Sequence, residues 1–422
     1  MEPAEIDPYP GNVILGQPED TAMTLSLLSW THASGSIRYG TNPGLLDLET
    51  PSLQLKEGEP NSVLLSGLKP DTSYFYCLTG GLSNLLGGSQ MPPSFHTRRS
   101  QRSTFTFVIQ ADSHLDISTD VRVYRQTLSN MLLDRPDFLI DLGDTTMVDK
   151  FKDYRNAESQ YRAQRYYLGL VGHSVPLYLT LGNHDGEDGT RLSDSEESMP
   201  IWSALRRNFY FPNPGPSGIY SGNASPHKGV GLLRDYYAWE WGNALFVVLD
   251  PFWPTREKKG KDNWGMTLGK AQYLWLEETL KQSRCPFKFI FIHHLVGGLG
   301  RDVRGGVSSA PYMEWGGKNS DGSDGFSTHR TGWPVPIHAL LKKYGVSIVF
   351  HGHDHLYAKE DLDGIVYQEV PQPSHPTGGT RSAEEYGYQG VILGSSGHLR
   401  VTVGPNLSTV EYVRSAVPGV TK

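Results

Sequence analysis

Residues 105–114 read Phe105-Thr106-Phe107-Val108-Ile109-Gln110-Ala111-Asp112-Ser113-His114, an apolar strand that runs into a carboxylate and an imidazole. The same event recurs four times. The strand Asp137–Leu142 ends in Gly143-Asp144, and Val175–Leu181 ends in Gly182-Asn183-His184-Asp185. Phe287–Ile292 runs into His293-His294, and Val346–Phe350 into His351-Gly352-His353-Asp354-His355. Helical spacing fills the intervals at Thr119–Leu133, Lys150–Leu170, Leu268–Gln282 and Ile337–Lys343. Strands alternating with helices specify an α/β domain. Such sheets gather ligands at the C-terminal ends of their strands, so all five polar sets can converge on one crevice. Seven of the fifteen histidines occupy these five places, which chance scatter would not produce.

The donor types point to metal. Imidazole, carboxylate and a neutral amide oxygen suit Zn, Fe or Mn, and no thiolate stands among them. The two cysteines, Cys77 and Cys285, read as ordinary buried thiols. One ion could not use seven such donors and keep a position open for substrate. Two ions about 3.5–4 Å apart, sharing one bridging carboxylate, could.

Composition narrows the partners. The 422-residue chain carries a net charge of −7, so it is a poor match for nucleic-acid backbones, and no nucleic acid is expected. Its hydrophobic share of 37% is enough to bury a core at this length. With 47 glycines and 28 prolines the fold should be rich in loops. No apolar run of about 18 residues exists, so no membrane span is expected. The opening Met1–Pro10 is acidic and Pro-rich and does not read as a signal peptide.

Ahead of the α/β region the pattern is all-β. Short strands are expected at Asn12–Gly16, Met23–Thr31, Ser36–Tyr39, Ser62–Leu65, Ser73–Leu78 and Ser94–Thr97. Within them, Leu68-Lys69-Pro70-Asp71-Thr72-Ser73-Tyr74 has the form of a tyrosine corner, with Trp30 as the expected core aromatic. Both features resemble fibronectin type III domains. The division is therefore residues 1–97 as a β-sandwich and 104–422 as a layered αββα domain, joined by the polar linker Arg98–Thr104. Two Gly-rich stretches, Gly186–Gly231 and Gly297–Pro334, read as long loops of functional kind.

The ordered series D-x-H, G-D, G-N-H-D, H and G-H-x-H resembles the calcineurin-like metallophosphoesterase superfamily, and the sandwich in front resembles the layout of purple acid phosphatases. That resemblance implies two divalent ions. Asp112, His114 and His355 would hold one; Asn183, His293 and His353 would hold the other; Asp144 would bridge them. The second member of the His293–His294 pair is left as a rival ligand. His184 would face the leaving group as general acid, with Asp185 as its orienting partner. Such enzymes attack phosphorus with a metal-bridging hydroxide.

Two departures from the purple acid phosphatase pattern stand out. Met147 occupies the place of the Tyr that ligates ferric iron, and His114 is an added ligand, so a colourless relative using Mn, Zn or ferrous iron is implied. Val148 stands where Ser/Thr protein phosphatases carry a phosphate-gripping Arg. The function expected is hydrolysis of small-molecule phosphate esters, monoesters preferred. The alternatives are a phosphodiesterase or nucleotidase on the same centre, and a surface-binding module with a degenerate phosphatase domain. The layout implies an extracytoplasmic location, periplasmic or secreted. Arg301, Arg304, His329 and Arg330 are potential phosphate contacts, with a solvated loop face as the simpler expectation. Tyr210, Tyr236, Tyr237, Trp253 and Trp264 are candidates for lining a pocket, with core packing the alternative.

Overall fold

Alternation within each strand decides what faces what. In Phe105–Gln110 the odd positions Phe105, Phe107 and Ile109 belong to one apolar cluster and Val108 to another. In Phe287–Phe291, Phe289 and Phe291 join the first cluster while Ile290 joins a third. The first cluster is thus shared by two sheets packed face to face, and the other two lie under helices. This is an α-β-β-α layering. The structure, a computed structural model, describes residues 6, 8–87, 92–193, 195, 197–257, 263–297 and 304–421.

One sheet has five strands, in the order Leu177–Leu179, Leu139–Asp141, Phe105–Gln110, Gly397–Val403, Ser408–Arg414. Its first three strands run parallel and the last two antiparallel. The other has eight strands, with Ala244–Val248, Phe287–Phe291, Ile348–His351 and Ile365–Glu369 parallel at its centre. Helices Val121–Leu133 and Glu158–Gly172 cover the five-stranded sheet, and Gly269–Gln282 and Ile337–Lys343 the other. Tyr237–Trp241 and Ala244–Val248 pair as a hairpin around Gly242-Asn243.

The N-terminal region is all-β. Gly11–Gly16, Ala22–Ser29 and Asn61–Ser66 make one antiparallel sheet, and Leu48–Glu49, Ile37–Gly40, Ser73–Leu78 and Ser94–His96 a second. Tyr74 is buried, and its hydroxyl accepts the Lys69 N–H at 2.9 Å, the contact expected of a tyrosine corner. Trp30 is a correction. It is only half-buried and leaves the sandwich core, because it sits past the end of Ala22–Ser29 and faces the helix Glu158–Gly172. There it meets Tyr9 edge-on at 6.0 Å and the Arg162 guanidinium at 5.1 Å.

Two further expectations change. The helix foreseen at Lys150–Leu170 begins only at Glu158, because Asp153 caps a short 3-10 turn at Tyr154–Ala157 ahead of it. The stretch 186–231 is not all loop: Met199–Tyr210 is a helix with Pro200 in its first turn, where a missing N–H costs nothing. Among the described residues no helix is long and apolar enough to cross a membrane.

Candidate metal centre

The motif glycines let the strand-end loops approach one another. A Cβ on Gly182 would lie 2.0 Å from the Asp144 nitrogen, and one on Gly352 would lie 2.8 Å from Asp112 Oδ2. Backbone curvature does the rest. Asp112, His114, Asp144, His353 and His355 all have positive φ, between 50° and 83°. Non-glycine residues in this region carry strain and concentrate at functional sites.

Those turns bring two groups together. Asp112, His114 and His355 form one, with ligand atoms within 4.8 Å of one another, and Asp144, His293 and His353 form the other. Asp144 Oδ2 lies 3.4 Å from His293 Nε2 and 3.6 Å from His114 Nε2, so it stands between the two. Asn183 Oδ1 lies 3.0 Å from His293 Nε2. His294 is outside both groups; its ring packs on Phe252 at 5.1 Å. Five of these six group members are buried, and His355 opens to solvent.

Each imidazole is aimed by its other nitrogen. His114 Nδ1 lies 3.3 Å from Asp116 Oδ2, and His293 Nδ1 lies 2.9 Å from the Leu142 carbonyl, which leaves both Nε2 atoms facing the crevice. His351, beside the last motif, is anchored instead to Glu369 at 2.6 Å. A helix braces the loops from behind. Gln160 of Glu158–Gly172 donates to the carbonyls of His114 and Leu115 and accepts the Met147 N–H. Gln164, one turn on, donates to Ser113 Oγ and the Thr145 carbonyl. Neither glutamine stands in a motif; only the fold joins them to the site.

The charges are tuned together. Burial alone would raise both carboxyls, but neighbouring imidazoles outweigh it and hold Asp112 and Asp144 well below the usual range. Burial opposes protonation of His293, yet Asp144 and Asp112 lift it to about 9. Burial and the nearby His293 keep His353 well below its ordinary value. A cation would replace those protons, since metal ligands must be deprotonated. Asp112 Oδ1 and His114 Nε2 are buried, 3.7 Å apart, and neither makes a hydrogen bond. Buried polar atoms are rarely left so. The donor set and these two orphaned atoms fit divalent metal.

His184 and Asp185 separate. His184 Nδ1 lies 2.9 Å from Asp149 Oδ1, and its Nε2 lies 3.9 Å from Asp144 Oδ2. Asp185 does not orient it. Its carboxylate turns inward and accepts the N–H groups of Asp144, Gly182 and Thr146 and the Thr146 hydroxyl, at 2.7–3.0 Å. Burial and the Asp144 charge push its carboxyl up to about 7. Asp185 therefore ties two motif loops together, and the carboxylate at His184 Nδ1 is that of Asp149.

Residues 105–357 match the family model of the calcineurin-like phosphoesterases. The chain belongs to that family. Calcineurin-like phosphoesterases use divalent metals, and the two His/Asp groups are the candidate binding clusters. The whole fold superposes on PhoD with a TM-score of 0.63 at 14% identity, over 99% of this chain and 95% of that one. It superposes equally, at 0.63 and 16% identity, on purple acid phosphatase PPD1 from yellow lupin (Lupinus luteus) seeds, over 97% of this chain and 72% of that one. At such identities the likeness is one of fold. No curated protein sequence matches the chain.

The loop cations also differ from expectation. Arg330 is not solvated: it forks onto buried Glu314 and the carbonyls of Trp264 and Met266. Arg304 binds the His353 carbonyl at 3.1 Å and Asp354 at 2.7 Å, bracing the last motif. Arg301 lies outside the described residues. Tyr210, Tyr237 and Trp253 are core residues, whereas Trp264 lines a cavity.

Proposed function

We propose that the protein hydrolyses phosphate esters, monoesters in preference, at two divalent ions of Mn, Zn or Fe. One observation carries the proposal: two ligand groups, five of their six members buried, meet at Asp144, with Asp112 Oδ1 and His114 Nε2 left without a hydrogen bond. Asp112, His114 and His355 would hold one ion and Asn183, His293 and His353 the other, with Asp144 standing between the two groups. The neutral Asn183 amide adds a donor without adding charge. Bound there, the ions supply Lewis acidity, acidifying water and offsetting charge on the phosphoryl oxygens.

The remaining work falls to side chains. His184 is held through Nδ1 by Asp149, so its Nε2 faces the crevice and can pass a proton to the departing oxygen. Asp185 fixes the G-D and G-N-H-D loops to each other and keeps Asp144 in place.

Metal-reconstituted protein should be assayed on matched mono- and diesters with metal content measured alongside. Turnover of a chromogenic phosphate, lost in Asn183→Ala and in Asp144→Asn, is the expected result. Unchanged turnover in Asn183→Ala would overturn the assignment, and preference for the diester would select the phosphodiesterase alternative.

A further inference from the structure

The turn His353-Asp354-His355 supplies one imidazole to each ligand group, and both histidines stand at positive φ, 83° and 63°. Such backbone persists only where its surroundings fix it from several sides. Here they do. The His353 N–H donates to Asp112 Oδ2 at 2.8 Å, and the His353 carbonyl accepts from Arg304 at 3.1 Å. The Asp354 N–H donates to Glu369 Oε1 at 3.0 Å, and the His355 carbonyl accepts the Ser395 hydroxyl at 2.5 Å.

Against this turn lies a buried polar cluster built mostly from outside the strand-end motifs. Asp354 Oδ1 accepts from Arg304 at 2.7 Å, and its Oδ2 accepts the Gly305 N–H at 2.9 Å. Tyr388 Oη stands 2.9 Å from Asp354 Oδ2 and 3.2 Å from Glu369 Oε2, so one hydroxyl joins two carboxylates. Glu369 Oε2 also meets His351 Nδ1 at 2.6 Å. Asp354, Glu369, Tyr388 and His351 are all buried, so a lost partner there leaves a polar atom unsatisfied. The fold places each member. Glu369 ends Ile365–Glu369, where the sheet pairs it with His351. Tyr388 is set by Glu360 of the strand Tyr357–Leu362, which accepts the Gln389 N–H at 2.8 Å and the Val307 N–H at 2.9 Å. A Cβ on Gly305 would lie 2.2 Å from the Tyr386 carbonyl, so the two segments lie in close contact.

We propose that Glu369 and Tyr388 are positioning residues that hold the His353–His355 turn in the shape that presents its two imidazoles, and that they thereby serve both ions at once. Neither touches a ligand ring. They act through the Asp354 N–H and carboxylate, between the two histidines. Replacing a ligand removes a donor from one group, whereas loosening this turn moves a donor in each. A network that only stabilised the fold would leave metal affinity alone. This role rests on divalent-metal binding by the paired groups.

Calorimetric titration of the metal-stripped full chain with Mn or Zn tests it. Wild type should bind two ions. Tyr388→Phe removes a single hydroxyl, and Glu369→Gln keeps the shape but leaves one accepting oxygen where Asp354, Tyr388 and His351 use two. Each variant should weaken both ions by about tenfold to a hundredfold, the usual cost of losing a group that orients metal ligands. His114→Ala should weaken chiefly one. Unchanged affinity in Tyr388→Phe, or loss confined to one ion, would overturn the proposal, and Tyr388→Phe decides alone if Glu369→Gln does not fold. If wild type takes up no ion, the two-ion reading fails separately, and hydrogen exchange at the Asp354 N–H of the metal-stripped protein still decides. Protection in wild type that is lost in Tyr388→Phe supports the positioning role. Rapid exchange in wild type, or protection kept in the variant, overturns it.

Discussion

Asp149 Oδ1 stands 2.9 Å from His184 Nδ1, while Asp185, the next residue in sequence, turns its carboxylate away into four donors. The pair is also tied through the main chain, the Asp149 N–H donating to the His184 carbonyl at 3.4 Å. Asp149→Asn should therefore lower kcat on an alkyl phosphate by about tenfold to a hundredfold, within the range of general acid catalysis. An aryl phosphate with a good leaving group should lose far less. A leaving-group series measured on wild type, Asp149→Asn and His184→Asn checks this; parallel losses across the series would refute it.

Stripping metal with a chelator should abolish turnover, and added Mn or Zn should restore it. Bound ions should also stabilise the fold, by about 2.7 kcal/mol at a free concentration a hundred times Kd. Elemental analysis should find two ions per chain in wild type and fewer in His114→Ala. Thermal unfolding with and without added metal gives an independent reading.

Gly182→Ala should damage the site more than the fold. Its new Cβ would sit 2.0 Å from the Asp144 nitrogen and 2.3 Å from Asp144 Oδ1, so Asp144 must move. Metal affinity should drop by at least about tenfold, since misplaced ligands forfeit preorganisation. Circular dichroism should stay close to wild type.

Asp250 supplies a pH dependence of stability. It is fully buried, and burial, followed by the Asp235 charge, raises its carboxyl well above the ordinary value. A folded-state value above the unfolded one of about 3.9 means that the native state binds more protons within that window. Stability from this group is therefore present at low pH and lost as pH rises through the window, by up to about 1.4 kcal/mol per unit. Relative to wild type, Asp250→Asn should gain urea resistance as pH rises above about 4.

Arg165 should behave as a structural keystone between the two regions. It is fully buried, with Nε 2.8 Å from Asn12 Oδ1 and Nη2 2.7 Å from the Ser26 carbonyl. Arg165→Met keeps the volume but strands these acceptors, at a cost of about 3 kcal/mol. Denaturant unfolding measures it.

The five strand-end motifs were legible because each combines an apolar run with chemistry at its end, a local signal. Met147, in the place of a tyrosine ligand, was legible for the same reason. Asp149, Asp116, Gln160 and Gln164 were not, because what gives them meaning is a contact across the fold. Trp30 misled because an aromatic near the end of a strand looks the same whether it turns into its own sandwich or onto a neighbouring helix. Arg330 misled because charge in a Gly-rich stretch suggests solvent, and its buried partner Glu314 is 16 residues away.

The helix Glu158–Gly172 is gripped on both sides. Arg165 fastens it to the N-terminal strands, and Gln160 and Gln164 fasten it to the loops that carry His114 and Asp144. The sandwich is thereby an anvil for the loops of the candidate metal centre and not a detachable accessory. Evolution can exchange a tethered domain freely, but this one can drift only in step with the helix it backs, which would keep the two halves inherited as a single unit.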